Sequence, residues 1–205
     1  MRKFTTLLAG FAAITLSAGL SRADVLGPNN CGSCFGSSYL LQYDPNNTTT
    51  VGADTVYDVF LTIDGTGYTG AGSFINSVAI KIASSEDTPP SSLVNAPGGA
   101  GVWAFQGGGL NANGCNGSGS GFVCAQDSNH APVPGGPYTW EFHYATTASL
   151  LTGSLGSSVK ALYTKDAAGL LQAGITSEGI TLQPCGAGTN ETCGGGGATT
   201  TCSTL

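Results

Sequence analysis

The run Val56-Tyr57-Asp58-Val59-Phe60-Leu61-Thr62-Ile63 puts Tyr57, Val59, Leu61 and Ile63 on one face and Asp58 and Thr62 on the other. Period-two alternation of this kind describes a half-buried strand. A strand with one apolar face needs neighbouring strands and a second layer to cover it. Phe74 to Ile82 repeats the pattern, with Val78, Ile80 and Ile82 opposite Ala79 and Lys81. Shorter strand signals lie at residues 38–43, 102–106, 138–144, 159–164 and 180–183. Turn clusters separate them: Asp64-Gly65-Thr66-Gly67, which reads as a hairpin turn, Pro89-Pro90, and the proline-rich stretch 132–137. Residues 145–155 lean toward helix but are interrupted by Gly153. The pattern predicts an all-β chain, mainly an antiparallel β-sandwich of jelly-roll or immunoglobulin-like kind, as one domain.

The first residues read as a secretory leader. Arg2 and Lys3 precede an apolar stretch from Leu7 to Leu20, and Ser21-Arg22-Ala23 offers a cleavage site before Asp24. The apolar run is too short for a membrane span, so no membrane span is expected after cleavage. Residues 1–23 are assigned to the signal peptide, 24–183 to the sandwich, and 184–205 to a flexible Cys/Gly-rich tail. The tail has no hydrophobic period and carries four consecutive glycines, Gly194 to Gly197. Export leaves Lys81, Lys160 and Lys165 as the cations against 12 acidic residues, with no arginine. Such a chain is poorly equipped to neutralise phosphates, which argues against nucleic acid and anionic lipid as partners.

The chain has 7 cysteines, and in an exported protein oxidation to disulfides is the default. Cys115 and Cys124 flank a small-residue loop, so a local bridge is easy. Cys31 and Cys34 lack a thioredoxin-like βαβ setting; they bridge to each other or pair with tail residues Cys185 and Cys193. An odd total leaves one thiol over, and Cys202 is the natural suspect. The Gly109–Ala125 stretch that holds Cys115 and Cys124 has no following helix or Lys-Ser/Thr for a phosphate cradle. It lacks the second ligand pair zinc would want. No metal or other cofactor is predicted.

The same stretch carries a resemblance. Trp103-x-Phe105 leads into Gly-Gly-Leu-Asn-Ala-Asn-Gly-Cys115, then Gly-Ser-Gly-Ser-Gly-Phe-Val-Cys124-Ala, then Tyr138-Thr-Trp-Glu-Phe142. Ser158-Val-Lys-Ala-Leu-Tyr-Thr-Lys-Asp166, a Gly-Leu-Leu and Ile175-Thr-Ser-Glu-Gly-Ile-Thr-Leu-Gln183 follow. This order resembles PEP-CTERM exported proteins over Tyr57 to Gln183. The resemblance implies a Gram-negative bacterium that makes exopolysaccharide, and a role in the extracellular matrix. It supplies no site residues. Those proteins end in Pro-Glu-Pro, an apolar span and a basic cluster, whereas this chain ends in its Cys/Gly tail, which points to free secretion.

Catalytic patterns are sparse. Glu141 and His143 share a strand face and could form an acid–base pair or half a metal site, though such a pair is more often a solvated strand face. Ser157-Ser-Val-Lys160 matches S-x-x-K but lacks the helix and partner motifs, and reads as chance. His130 follows a turn. Asp64 could help hold calcium, but the acid spacing of a calcium loop is missing. Trp103, Phe105, Trp140, Phe142 and Tyr144 could form a sugar-stacking platform or pack the core. The expected function is a secreted, non-enzymatic matrix or surface-associated protein, with extracellular polysaccharide as its candidate partner. The alternatives are a small secreted hydrolase using carboxylates such as Asp58, Asp64 or Glu141, and a disulfide-linked assembly subunit. The sequence sets no oligomeric state.

Overall fold

The computed structural model describes residues 25–127, 129–185 and 193. The expected leader, most of the expected tail and Cys202 therefore lie outside the described residues. The described chain is an all-β sandwich, as its alternation and turns predict. Its strands are β1 (Ser38–Val51), β2 (Asp54–Asp64), β3 (Phe74–Lys81), β4 (Ser92–Asn95), β5 (Ala104–Gly107), β6 (Gly109–Asn111), β7 (Gly114–Gly117), β8 (Phe122–Gln126), β9 (Tyr138–Thr146), β10 (Ser157–Thr164), β11 (Gln172–Ile180) and β12 (Gln183–Pro184). One sheet runs β12-β1-β2-β9-β4 and the other β11-β10-β3-β8-β5, with β6 and β7 forming a small hairpin. All pairings are antiparallel except β1 with β12. We call the two main sheets A and B in that order.

The inward positions follow the alternation. Val59, Leu61 and Ile63 of β2, Trp140, Phe142 and Tyr144 of β9, and Val78 and Ile80 of β3 are all fully buried. Burying side chains of this size stabilises the fold by roughly 1.5–3 kcal/mol each. Two tyrosines tie the sheets together through the core. The Tyr39 hydroxyl of β1 and the Tyr163 hydroxyl of β10 share a hydrogen bond at 2.5 Å. Tyr39 also donates to Thr176 Oγ1 at 2.9 Å and Thr176 Oγ1 to the Ser33 carbonyl at 2.7 Å, which leaves the Tyr163 proton for Tyr39, with Ser37 Oγ 3.3 Å from the Tyr163 hydroxyl.

Several local expectations change. Asp64-Gly65 does not turn a hairpin: β2 belongs to sheet A and β3 to sheet B, so this loop crosses between sheets. Its length carries Tyr68 into the core, stacked on Tyr163 with ring centroids 4.5 Å apart. Residues 145–155 contain no helix: β9 runs to Thr146, and the rest is irregular, joined to the fold by the Ala83–Leu150 bridge. The Gly109–Ala125 stretch is more ordered than a stapled loop, because it contains β6, β7 and the start of β8. Its hairpin folds over the outer face of sheet B. Leu110 and Cys115 there pack with Ala79, Phe122, Cys124 and Leu162 as a second, smaller apolar cluster. Cys115 and Cys124 are bonded, Cα to Cα 5.6 Å. Among the described residues, no helix is long and apolar enough to cross a membrane.

Burial holds the Tyr39 and Tyr163 phenols above their ordinary pKa. A raised folded pKa means their contribution is complete below the unfolded value of about 10 and is lost as the pH climbs past it. Stability should thus fall steeply in alkali, and Tyr163→Phe should flatten that fall while costing about 1–3 kcal/mol at neutral pH. Urea unfolding between neutral and alkaline pH checks both. Cys115→Ala with Cys124→Ala should cost about 2–3 kcal/mol by the chain-entropy estimate, seen as a lower urea midpoint.

Candidate functional site

A group of titratable side chains lies together on the outer face of sheet A. Asp58 sits opposite His143 in the β2–β9 register, and Glu141 sits two residues along, opposite Phe60. His143 Nε2 lies 3.2 Å from Asp58 Oδ1. The other Asp58 oxygen accepts a hydrogen bond from Asn47 Nδ2. Asn47 reaches it because the β1–β2 register shifts between Tyr43 and Thr48, so that residues 44–47 loop out of the ladder. Short β4 flanks the group, with Ser92 opposite His143 and Asn95 opposite Glu141.

The electrostatics follow from this crowding. Partial burial raises the Glu141 pKa above the ordinary glutamate range; the neighbouring Asp58 charge adds to the rise and His143 opposes it. Asp58 has both oxygens engaged, one by His143 and one by Asn47, which leaves it badly placed as a nucleophile. Asp58 and Glu141 lie on adjacent strands of one sheet face rather than facing each other across a cleft, the arrangement two-carboxylate hydrolysis needs. Among the described residues, no set of three His, Cys, Asp or Glu side chains is arranged to hold a metal ion.

The other sequence candidates separate. Asp64 caps its own loop, accepting from the Thr66 amide at 2.9 Å and the Thr66 hydroxyl at 2.8 Å. His130 pairs with Asp127, Nδ1 to Oδ2 at 2.5 Å, three residues back in the same loop. Ser157 and Lys160 are three apart on β10 and so point to opposite faces; Ser157 is buried and donates to the Leu151 carbonyl, which rules out a Ser–Lys dyad. For the aromatics, burial decides between the two expectations in favour of core packing. Trp140, Phe142 and Tyr144 have no exposed surface, Trp103 is buried edge-on against Trp140, and Phe105 packs beside Phe142. Cys31 is bonded to Cys34, and Cys185 to Cys193.

One convergence went unseen in the sequence. On the outer face of sheet B, Lys81 Nζ lies 5.8 Å and Lys160 Nζ 4.7 Å from the centroid of the Phe122 ring. These residues are 81, 122 and 160 in the chain, and only the register brings them together: Lys81 is paired with Phe122 on one side and Ser158 on the other. With these positions on hand, no known protein-family model matches the chain, and neither a curated protein nor a solved structure matches it.

Because the folded Glu141 pKa is raised, ionising it weakens the fold, and its contribution is most favourable below the unfolded value of about 4.3. Glu141→Gln should therefore raise the thermal midpoint at neutral pH by a small margin, with the gain vanishing as the pH falls below that value. Thermal melts of the two proteins across pH 3 to pH 8 check the sign.

Proposed function

We propose that this chain is a secreted, non-enzymatic protein of the extracellular matrix or cell surface that contacts polysaccharide. The observation that carries this reading is how the chemically capable side chains are used. Both Asp58 oxygens are bound by neighbours, Asp64 and His130 brace their own loops, and the large aromatics fill the core. What the described surface offers to a partner is therefore sheet faces and loops. The disulfides fit a non-reducing compartment. The leader-like first residues and the resemblance to PEP-CTERM exported proteins support secretion and a matrix partner.

The described residues pair six cysteines, which leaves Cys202 as the remaining one of 7 and favours disulfide-linked assembly as a second reading. Non-reducing electrophoresis separates the two: a ladder that collapses on reduction supports assembly, and monomer alone counts against it. For the first reading, the oxidised protein should sediment with exopolysaccharide from its own source and be displaced by the same glycan in soluble form. An inert β-sandwich should stay in the supernatant. Failure to sediment at any concentration would remove polysaccharide as the partner.

A further inference from the structure

We propose that the Lys81–Lys160 strip on the outer face of sheet B is the contact site for a carboxylate-bearing polysaccharide, a polymer of uronic-acid type. The proposal rests on the matrix reading above and names the place and the chemistry of the contact. With the aromatic platform buried, stacking on sugar rings is not available from those residues, and recognition falls to charge and hydrogen bonding.

The strip is set apart by its electrostatics. The full sequence has 12 acidic residues, yet none of the outward positions of sheet B carries one. Those positions are Ser77, Ala79 and Lys81 on β3, Phe122, Cys124 and Gln126 on β8, and Ser158, Lys160 and Leu162 on β10. They continue as Ile175, Ser177 and Gly179 on β11 and as Ala104 and Gln106 on β5. The nearby Glu178 points the other way, where its carboxylate accepts from the Ser33 amide at 2.9 Å and the Ser33 hydroxyl at 2.5 Å. Two ammonium groups thus share one ring, and among the described residues neither has a carboxylate within ion-pair distance. The ring attracts both cations, and both charges remain open to an anion.

The surroundings suit a sugar acid. Lys160 is steadied by the Leu110 carbonyl at 3.5 Å. The Lys81 stem lies against the turn at Gly121, where φ is +78° and an added Cβ would meet Lys81 Cε at 3.2 Å and the Ala83 carbonyl at 2.3 Å. Ser158 stands opposite Lys81, exposed Ser177 opposite Lys160, and Gly179 opposite Ser158, so hydroxyls and a bare backbone flank the charges. The chain as a whole is acidic, which opposes a polyanion at long range. Screening over about 8 Å at physiological ionic strength damps that repulsion, while contact pairing with ammonium survives. Repeated carboxylates along one polymer add avidity.

The test uses the full oxidised chain with beads of polygalacturonate and beads of its carboxyl-reduced, neutral counterpart. Lys81→Gln and Lys160→Gln should each weaken binding to the acidic beads about threefold, the range of exposed ion pairs. Lys165→Gln removes the same charge outside the strip and should change nothing. Lys81→Arg with Lys160→Arg should retain binding, and unchanged near-ultraviolet circular dichroism verifies the fold of each variant. If wild type and both glutamine variants bind the acidic beads equally, the strip is not the site, though the matrix reading stands. If only the neutral beads bind, the acidic chemistry is wrong and the matrix reading again stands. If no bead binds and the source exopolysaccharide also fails, both fall.

Discussion

The hydroxyl knot at Tyr39, Tyr163 and Thr176 is the constraint on which the sandwich depends. Three hydroxyls sit where water cannot reach them, and each finds its partner in the others, in Ser37 or in the Ser33 carbonyl. A buried hydroxyl without a partner costs on the order of 1–3 kcal/mol, so this network is satisfied only when the two sheets meet in one register. It also reaches outward. Through Ser33 it holds the Cys31–Cys34 loop against β11, and the Ser33 hydroxyl in turn accepts from the Ser177 amide at 3.3 Å. That covers part of an edge strand that would otherwise present open backbone groups. By contrast, the Trp140 indole Nε1 in the same core is buried with no hydrogen-bond partner, so packing and not polarity holds that ring.

With the sheets fixed, their outer faces become distinct chemical surfaces. Sheet A carries the Asp58, Glu141 and His143 group, in which a bulge-borne asparagine and a cross-strand histidine hold the two Asp58 oxygens. Sheet B is half covered by the β6–β7 hairpin, whose disulfide and small apolar cluster leave the remaining strip to lysine, serine and glycine. Both arrangements are products of register. A shift of one residue in β2–β9 or β3–β8 would send these side chains into the core and the core outward.

The sequence shows much of this and hides the rest for a physical reason. Alternation along Tyr57 to Ile63 and Val78 to Ile82 is written in neighbouring residues, so strands and their inward faces were legible. So was the oxidation of the cysteines to disulfides, from their number and spacing. Asp64-Gly65 misled because a turn dipeptide reports local backbone preference and not whether the next strand joins the same sheet. Residues 145–155 misled because alanine and leucine favour helix only where nothing else claims the backbone; here β9 claims its first part. Residues 92–95, 109–111, 114–117 and 122–126 are too short or glycine-rich to show a period, though all form strands. The aromatics fitted both a core and a platform until burial decided. The Lys81, Phe122 and Lys160 meeting has no local signal, since it arises from β3 lying between β8 and β10.

The claim at the centre of this account is that the protein meets its partner through the open strip of sheet B, with the core and the acidic group serving structure. Lysine acetylation footprinting of the oxidised chain, with and without saturating acidic polysaccharide, examines it most directly. Mass spectrometry reads Lys81, Lys160 and Lys165 separately in one experiment. The account predicts that the polymer protects Lys81 and Lys160 while Lys165 reacts as before. Equal reactivity at all three with the polymer demonstrably bound, or protection of Lys165 alone, would contradict it.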